Sequence, residues 1–152
     1  MSTLVKRVSP DDCDDYVTLL QEYFASIAPE VGEQDADSGA HQFLQRDRSW
    51  VWLAYTDDAL AGTVSLRALR DDACELKRLY VRPEFRGQCV ARALMDAVHE
   101  CAGHEGFSEV YLDSLPSMTA AHRLYANYGY EPCERYAEEH LACKIFMRKS
   151  LR

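Results

Sequence analysis

Tyr80-Val81-Arg82-Pro83-Glu84-Phe85-Arg86-Gly87-Gln88-Cys89-Val90-Ala91-Arg92-Ala93-Leu94 is the stretch on which the fold turns. An apolar, strand-like run stops at Pro83, passes a basic glycine turn and enters an amphipathic helical pattern. The first backbone N–H groups of a helix have no intrahelical partner, and with the positive end of the helix dipole they favour an anion. Gly87 lets the backbone approach such a group with no Cβ in the way. These residues describe a turn suited to a pyrophosphate. Most strand-glycine-helix junctions in α/β proteins bind nothing, so the decision rests on the flanking sequence.

Upstream, Trp50-Val51-Trp52-Leu53-Ala54-Tyr55, a turn at Asp57-Asp58 and the alternating run Thr63-Val64-Ser65-Leu66-Arg67-Ala68-Leu69 predict a hairpin. After a second turn at residues 70–73, Glu75-Leu76-Lys77-Arg78-Leu79-Tyr80-Val81 predicts a third strand, all three paired antiparallel. Residues 4–8 read as a short first strand. Ser9-Pro10 then offers a capping serine and a proline at the first helical position. Tyr16, Leu19, Leu20, Tyr23, Phe24 and Ile27 recur at helical spacing as a core-facing stripe, which Pro29 and Gly32 end. A second short helix is expected around residues 39–45.

Downstream, Val90, Leu94, Ala97, Val98 and Cys101 share one helix face that stops at Gly103. Glu109-Val110-Tyr111-Leu112-Asp113 predicts a strand parallel to the one before that helix. A last helix is expected over residues 118–128, with Gly129 as its C-terminal cap. Residues 130–135 and 145–149 close the sheet as two further strands.

The bulk numbers agree with one domain spanning residues 1–152. The chain is 47% hydrophobic and 28% charged, as in an ordinary globular protein. No apolar run approaches the ~20 residues of a membrane helix, and the first residues lack a signal peptide's apolar core, so no membrane partner and a cytoplasmic location are expected. A net charge of −8 argues against nucleic acid and suits a protonated amine. Six cysteines without close pairs read as reduced thiols. His99 and His104 lie five apart, about 140° around a helix, which refuses a zinc-protease reading, and no metal is expected.

The pattern Arg86-x-x-Cys89-x-Ala91 after Leu79-Tyr80-Val81 resembles the acyl-CoA loop of the GNAT superfamily of N-acetyltransferases, Gln/Arg-x-x-Gly-x-Gly/Ala. Ala121-His122-Arg123-Leu124-Tyr125-Ala126-Asn127-Tyr128-Gly129-Tyr130 resembles its second motif, Ala-x-x-Leu-Tyr-x-x-x-Gly-Phe. The resemblance covers residues 50–130 and, more loosely, the whole chain. It implies an α/β (α+β) fold: a twisted, mixed but mostly antiparallel sheet of six to seven strands flanked by about four helices. It also implies acetyl-CoA as cosubstrate and direct acetyl transfer to a small-molecule amine or amino acid. Dimers are common in the superfamily, so a homodimer is one expected assembly.

For site residues the resemblance implies Glu75 as base, directly or through a water, and Tyr125 as the acid that protonates the leaving thiolate. A carboxylate paired with Lys77 or Arg78, and a core tyrosine, are the respective alternatives. Arg86, Gly87, Gln88, Cys89, Val90 and Ala91 are expected at the pyrophosphate, and the backbones of Leu79 and Val81 at the pantetheine arm, in a slot opened by a bulge. Two positions depart from the pattern: Cys89 stands where glycine is usual, its side chain expected either in the helix–sheet interface or at the phosphates, and Met118 where asparagine is frequent. They motivate a second reading, a non-catalytic acyl-CoA-binding module. A third is a protein lysine acetyltransferase with residues 30–37 as an acidic receiver. Tyr23, Trp50, Tyr136 and His140 are candidates for the acceptor pocket.

Overall fold

The computed structural model describes residues 2–11, 13–137 and 145–152. Its elements run β1 (Thr3–Arg7), α1 (Asp14–Val31), α2 (Ala36–Leu44), β2 (Ser49–Thr56), β3 (Ala59–Arg70), β4 (Ala73–Val81), α3 (Val90–His104), β5 (Glu109–Ser114), α4 (Thr119–Asn127), β6 (Glu131–Pro132) and β7 (Ile145–Ser150). The sheet has seven strands in the order β1-β2-β3-β4-β5-β7-β6. Among the described residues only β4 and β5 pair in parallel; the other neighbours are antiparallel. The expected mixed, mostly antiparallel α/β sheet with four helices is present.

Period-2 alternation puts the two faces of β2 into two cores. Trp50, Trp52 and Ala54 pack with Leu94, Met95 and Val98 of α3, while Val51 and Leu53 pack with Leu19, Leu20 and Phe24 of α1 and Phe43 of α2. The sheet is therefore covered on both sides. The α1 stripe behaves as its spacing predicts, with Tyr16, Leu19, Leu20, Phe24 and Ile27 buried and Tyr23 at the edge.

Several boundaries move for physical reasons. Ser9-Pro10 does not start α1, because the Val8 N–H still pairs with Val51 C=O at 2.9 Å. Ser9 Oγ instead accepts from the Asp11 N–H within a turn, and the helix begins at Asp14 after Cys13. Pro29 lies inside the last turn of α1 rather than beyond it, and Gly32 (φ 85) ends the helix. α2 starts earlier than expected because Asp35 caps it, accepting from the Asp37 and Ser38 N–H groups. The hairpin turn places Asp57 and Asp58 at φ 49 and 69, the twist two-residue hairpins require. β7 lies between β5 and β6, so the last two strands do not simply append in chain order.

Candidate active site

β4 carries the decisive irregularity. Ser65 faces Lys77 and Thr63 faces Tyr80, so one residue of β3 opposes two of β4. Arg78 lies there at φ 59. This is a β-bulge, which bends the strand and strengthens its twist. On its other edge β4 pairs with β5 only from Ala73–Glu109 to Glu75–Tyr111, while β5 continues to Ser114 against β7. Beyond Glu75 the parallel strands part and leave an opening.

Backbone alternation decides what faces that opening. The Arg82 N–H bonds Ala61 C=O toward β3 at 2.8 Å, so Tyr80 also points that way and the backbone groups of Leu79 and Val81 point to the unpaired edge. Gly62 fits close beneath, for a Cβ there would lie 2.8 Å from the Tyr80 carbonyl oxygen. The Arg86 Nε donates to Val81 C=O at 3.0 Å and ties the turn to the strand end.

Two spaces meet at this opening. A groove of 750 Å³ runs along Leu79, Val81, the glycine turn and the start of α3 to Leu124 on α4. A cavity of 420 Å³ lies on the α1 and α2 side and reaches Asp113, Ser114 and Tyr125. Tyr23, Leu79, Met118 and Ala121 line both. Both volumes fall in or near the ~300–1,000 Å³ range of small-molecule pockets.

Of the residues expected at the cofactor, Leu79, Val81, Arg86, Gly87, Cys89, Val90 and Ala91 line the groove. Gln88 turns away, its Nε2 donating to Glu84 C=O at 3.1 Å. The α3 amides lack intrahelical partners until Ala93 N–H bonds Cys89 C=O at 3.1 Å. Gly87 adopts a φ of 78, and a Cβ there would meet no protein atom within 4 Å. Cys89 is exposed and at φ 66, so its side chain does not pack into the helix–sheet interface. Glycine is favoured at that position because side chains tolerate such a φ poorly.

Tyr125 is buried at 6% exposure, stacks edge-on with Tyr130 and still reaches the 420 Å³ cavity. Burial raises its phenol pKa well above the ordinary value. Glu75 is fully buried. The Arg67 Nε donates to its Oε1 at 2.7 Å, Lys77 Nζ stands 3.8 Å away, and the Tyr136 hydroxyl donates to Oε2. Glu75 is thus a carboxylate held between two cations behind the cavity wall, and Arg67 as well as Lys77 holds it. Burial lowers the Lys77 pKa, opposed by Glu75 and Asp113.

Sequence reading passed over Asp113, which lines the cavity beside Ser114. The available signal was its place at the carboxyl end of a parallel strand, where α/β sheets gather ligand-binding groups. Of the acceptor-pocket candidates, Tyr23 lines the cavity and Tyr136 touches Glu75. Trp50 does not belong there, being buried against Phe107 on the α3 face. His140 lies outside the described residues. Met118 precedes α4 without a capping side chain, and its sulfur accepts from Ser114 Oγ at 3.6 Å. Of the acids in residues 30–37, Glu30 accepts from Ser117 Oγ at 2.6 Å and Asp35 caps α2. Among the described residues no group of histidines, cysteines and carboxylates could hold a metal ion, and no helix is long and apolar enough to cross a membrane.

Residues 14–130 match the Acetyltransferase (GNAT) family. An N-acetyltransferase of Schizosaccharomyces pombe is 28% identical over 91% of this chain and 88% of its own. Mouse N-acetylaspartate synthetase is 35% identical over 58% of this chain, although the match spans only 30% of that protein. Among solved structures, PaiA N-acetyltransferase of Thermoplasma acidophilum in complex with coenzyme A superposes with a TM-score of 0.76 at 16% identity, covering 99% of each chain. The chain belongs to the GNAT family of acetyltransferases and is an N-acetyltransferase.

Proposed function

We propose that this N-acetyltransferase moves an acetyl group directly from acetyl-CoA to the primary amine of a small molecule or amino acid. The observation that carries this reading is the junction of groove and cavity where β4 and β5 part. The fold shared with a coenzyme A-bound acetyltransferase and a relative named for N-acetylaspartate synthesis support it.

When bound, acetyl-CoA supplies the thioester carbonyl. The Leu79 and Val81 backbones take the pantetheine arm in place of sheet partners. The amides of Gln88 to Ala91, with Arg86 and Gly87, take the pyrophosphate. The amine enters from the cavity. As its nitrogen bonds the acetyl carbon and the C–S bond breaks, Tyr125 gives its proton to the departing thiolate, and a carboxylate receives the proton from nitrogen. Asp113 is that carboxylate. Glu75, engaged by Arg67 and Tyr136, acts as a positioning residue, which moves the base from the position that the resemblance implies.

Free-thiol release from acetyl-CoA over a panel of amines and amino acids tests the reading, with calorimetry of coenzyme A alongside. At least one amine should be turned over. Coenzyme A binding with no turnover would favour the non-catalytic module, and no binding would sink both.

A further inference from the structure

The chain carries a net charge of −8, yet among the described residues that line the cavity three are cationic, Arg67, Lys77 and Arg78, against one carboxylate, Asp113. Arg67 and Lys77 are committed to Glu75. Arg78 has no carboxylate within ion-pair distance among the described residues, unlike Arg82 with Glu22 at 2.7 Å or Arg70 with Asp72 at 3.1 Å.

Arg78 is nevertheless held in place. The bulge aims it toward α1 and α2, where its Cζ lies 5.3 Å from the ring centres of both Phe24 and Phe43. Its Nη1 donates to the Tyr16 hydroxyl at 3.3 Å. A guanidinium has five N–H donors in a planar fork that matches a carboxylate. Aromatic contacts engage its faces, and one hydroxyl leaves donors for a ligand. A backbone at positive φ is costly for arginine, and such strain collects at ligand sites.

We infer that the acceptor amine itself carries a carboxylate, and that Arg78 is the residue that grips it. The acceptor then lies across the cavity with its amine toward Asp113 and Tyr125 and its carboxylate toward the bulge. This rests on the acetyltransferase reading above.

The test compares kcat/KM for L-amino acids with that for their own α-carboxamides, and for L-aspartate with L-asparagine, in the wild type, Arg78→Gln and Arg78→Lys. Every variant keeps a side chain at the same φ, and thermal unfolding checks that each folds. In the wild type at least one carboxylate should be preferred over its carboxamide by about 10- to 100-fold, the usual worth of a charged hydrogen bond. Arg78→Gln should bring that ratio near one, chiefly through KM, and Arg78→Lys should restore part of it. Turnover of amines without a carboxylate preference, or a ratio unmoved in Arg78→Gln, overturns the inference while sparing the acetyltransferase. If no amine turns over, the acetyltransferase reading fails, and calorimetry of the same amino acids decides Arg78. Binding lost in Arg78→Gln supports its role; no binding, or equal binding, overturns it.

Discussion

Glu75 faces Tyr111 across the last rung of the parallel ladder, and past that rung β4 and β5 no longer pair. The carboxylate at this fork is fully buried and bonded to Arg67. It fixes the place from which the opening starts.

Removing that carboxylate should therefore damage stability first. Glu75→Gln removes the carboxylate to which buried Arg67 donates at 2.7 Å, and breaking a buried ion pair costs about 3–5 kcal/mol, read as a lower denaturant midpoint. Asp113→Asn should instead lower kcat by about 100-fold or more and change the pH dependence of kcat/KM. A stable Glu75→Gln protein with a 100-fold loss of kcat would return the base to Glu75.

Tyr125→Phe should lower kcat more than it changes KM. The raised pKa carries a sign: the phenol stays protonated to higher pH than an ordinary tyrosine, so its ionisation removes no activity below about pH 10. An alkaline limb below pH 10 that vanishes in Tyr125→Phe would contradict this.

Cys89→Gly separates backbone strain from phosphate contact. Relief of the left-handed φ, about 1–2 kcal/mol, is offset by the roughly 0.5–1 kcal/mol that glycine loses in chain entropy. Stability should change little, while coenzyme A affinity rises severalfold by calorimetry. Unchanged affinity would place the thiol away from the phosphates.

Glu22 holds Arg82, at the end of β4, onto α1 through a forked pair. The Arg82 hydrogen bond depresses the Glu22 pKa below the ordinary 4.5, against a smaller burial effect. A depressed carboxylate stabilises the fold fully above its unfolded value and loses that contribution as pH falls through the lower folded value. Glu22→Gln should thus destabilise the protein by about 1 kcal/mol at pH 7, with the difference from wild type shrinking as pH falls below the ordinary glutamate range and vanishing below the lower folded value.

The hairpin, β4, the glycine turn and the α1 stripe were legible because each is local: periodicity of two or of 3.6, and turn residues at their places. The glycine turn that lines the groove and Tyr125 at the cavity were singled out by two short motifs. The bulge at Arg78 was not readable from residue type, since positive φ at an arginine is imposed by the surrounding sheet. Asp113 read as the end of an apolar strand, and only the parting of β4 from β5 turns it toward a cavity. The contact of Tyr136 with Glu75 spans 61 residues of chain, beyond any local pattern. The expected start of α1 failed because a tie to β2 overrode a sound capping signal.

The crystal structure of the protein with coenzyme A bound tests the central claim most directly. The pantetheine arm should lie between β4 and β5, hydrogen-bonded to the backbones of Leu79 and Val81, with the pyrophosphate on the Gly87 turn and the thiol within reach of the Tyr125 hydroxyl. Coenzyme A bound elsewhere, or with its thiol turned away from Tyr125 and Asp113, would contradict it.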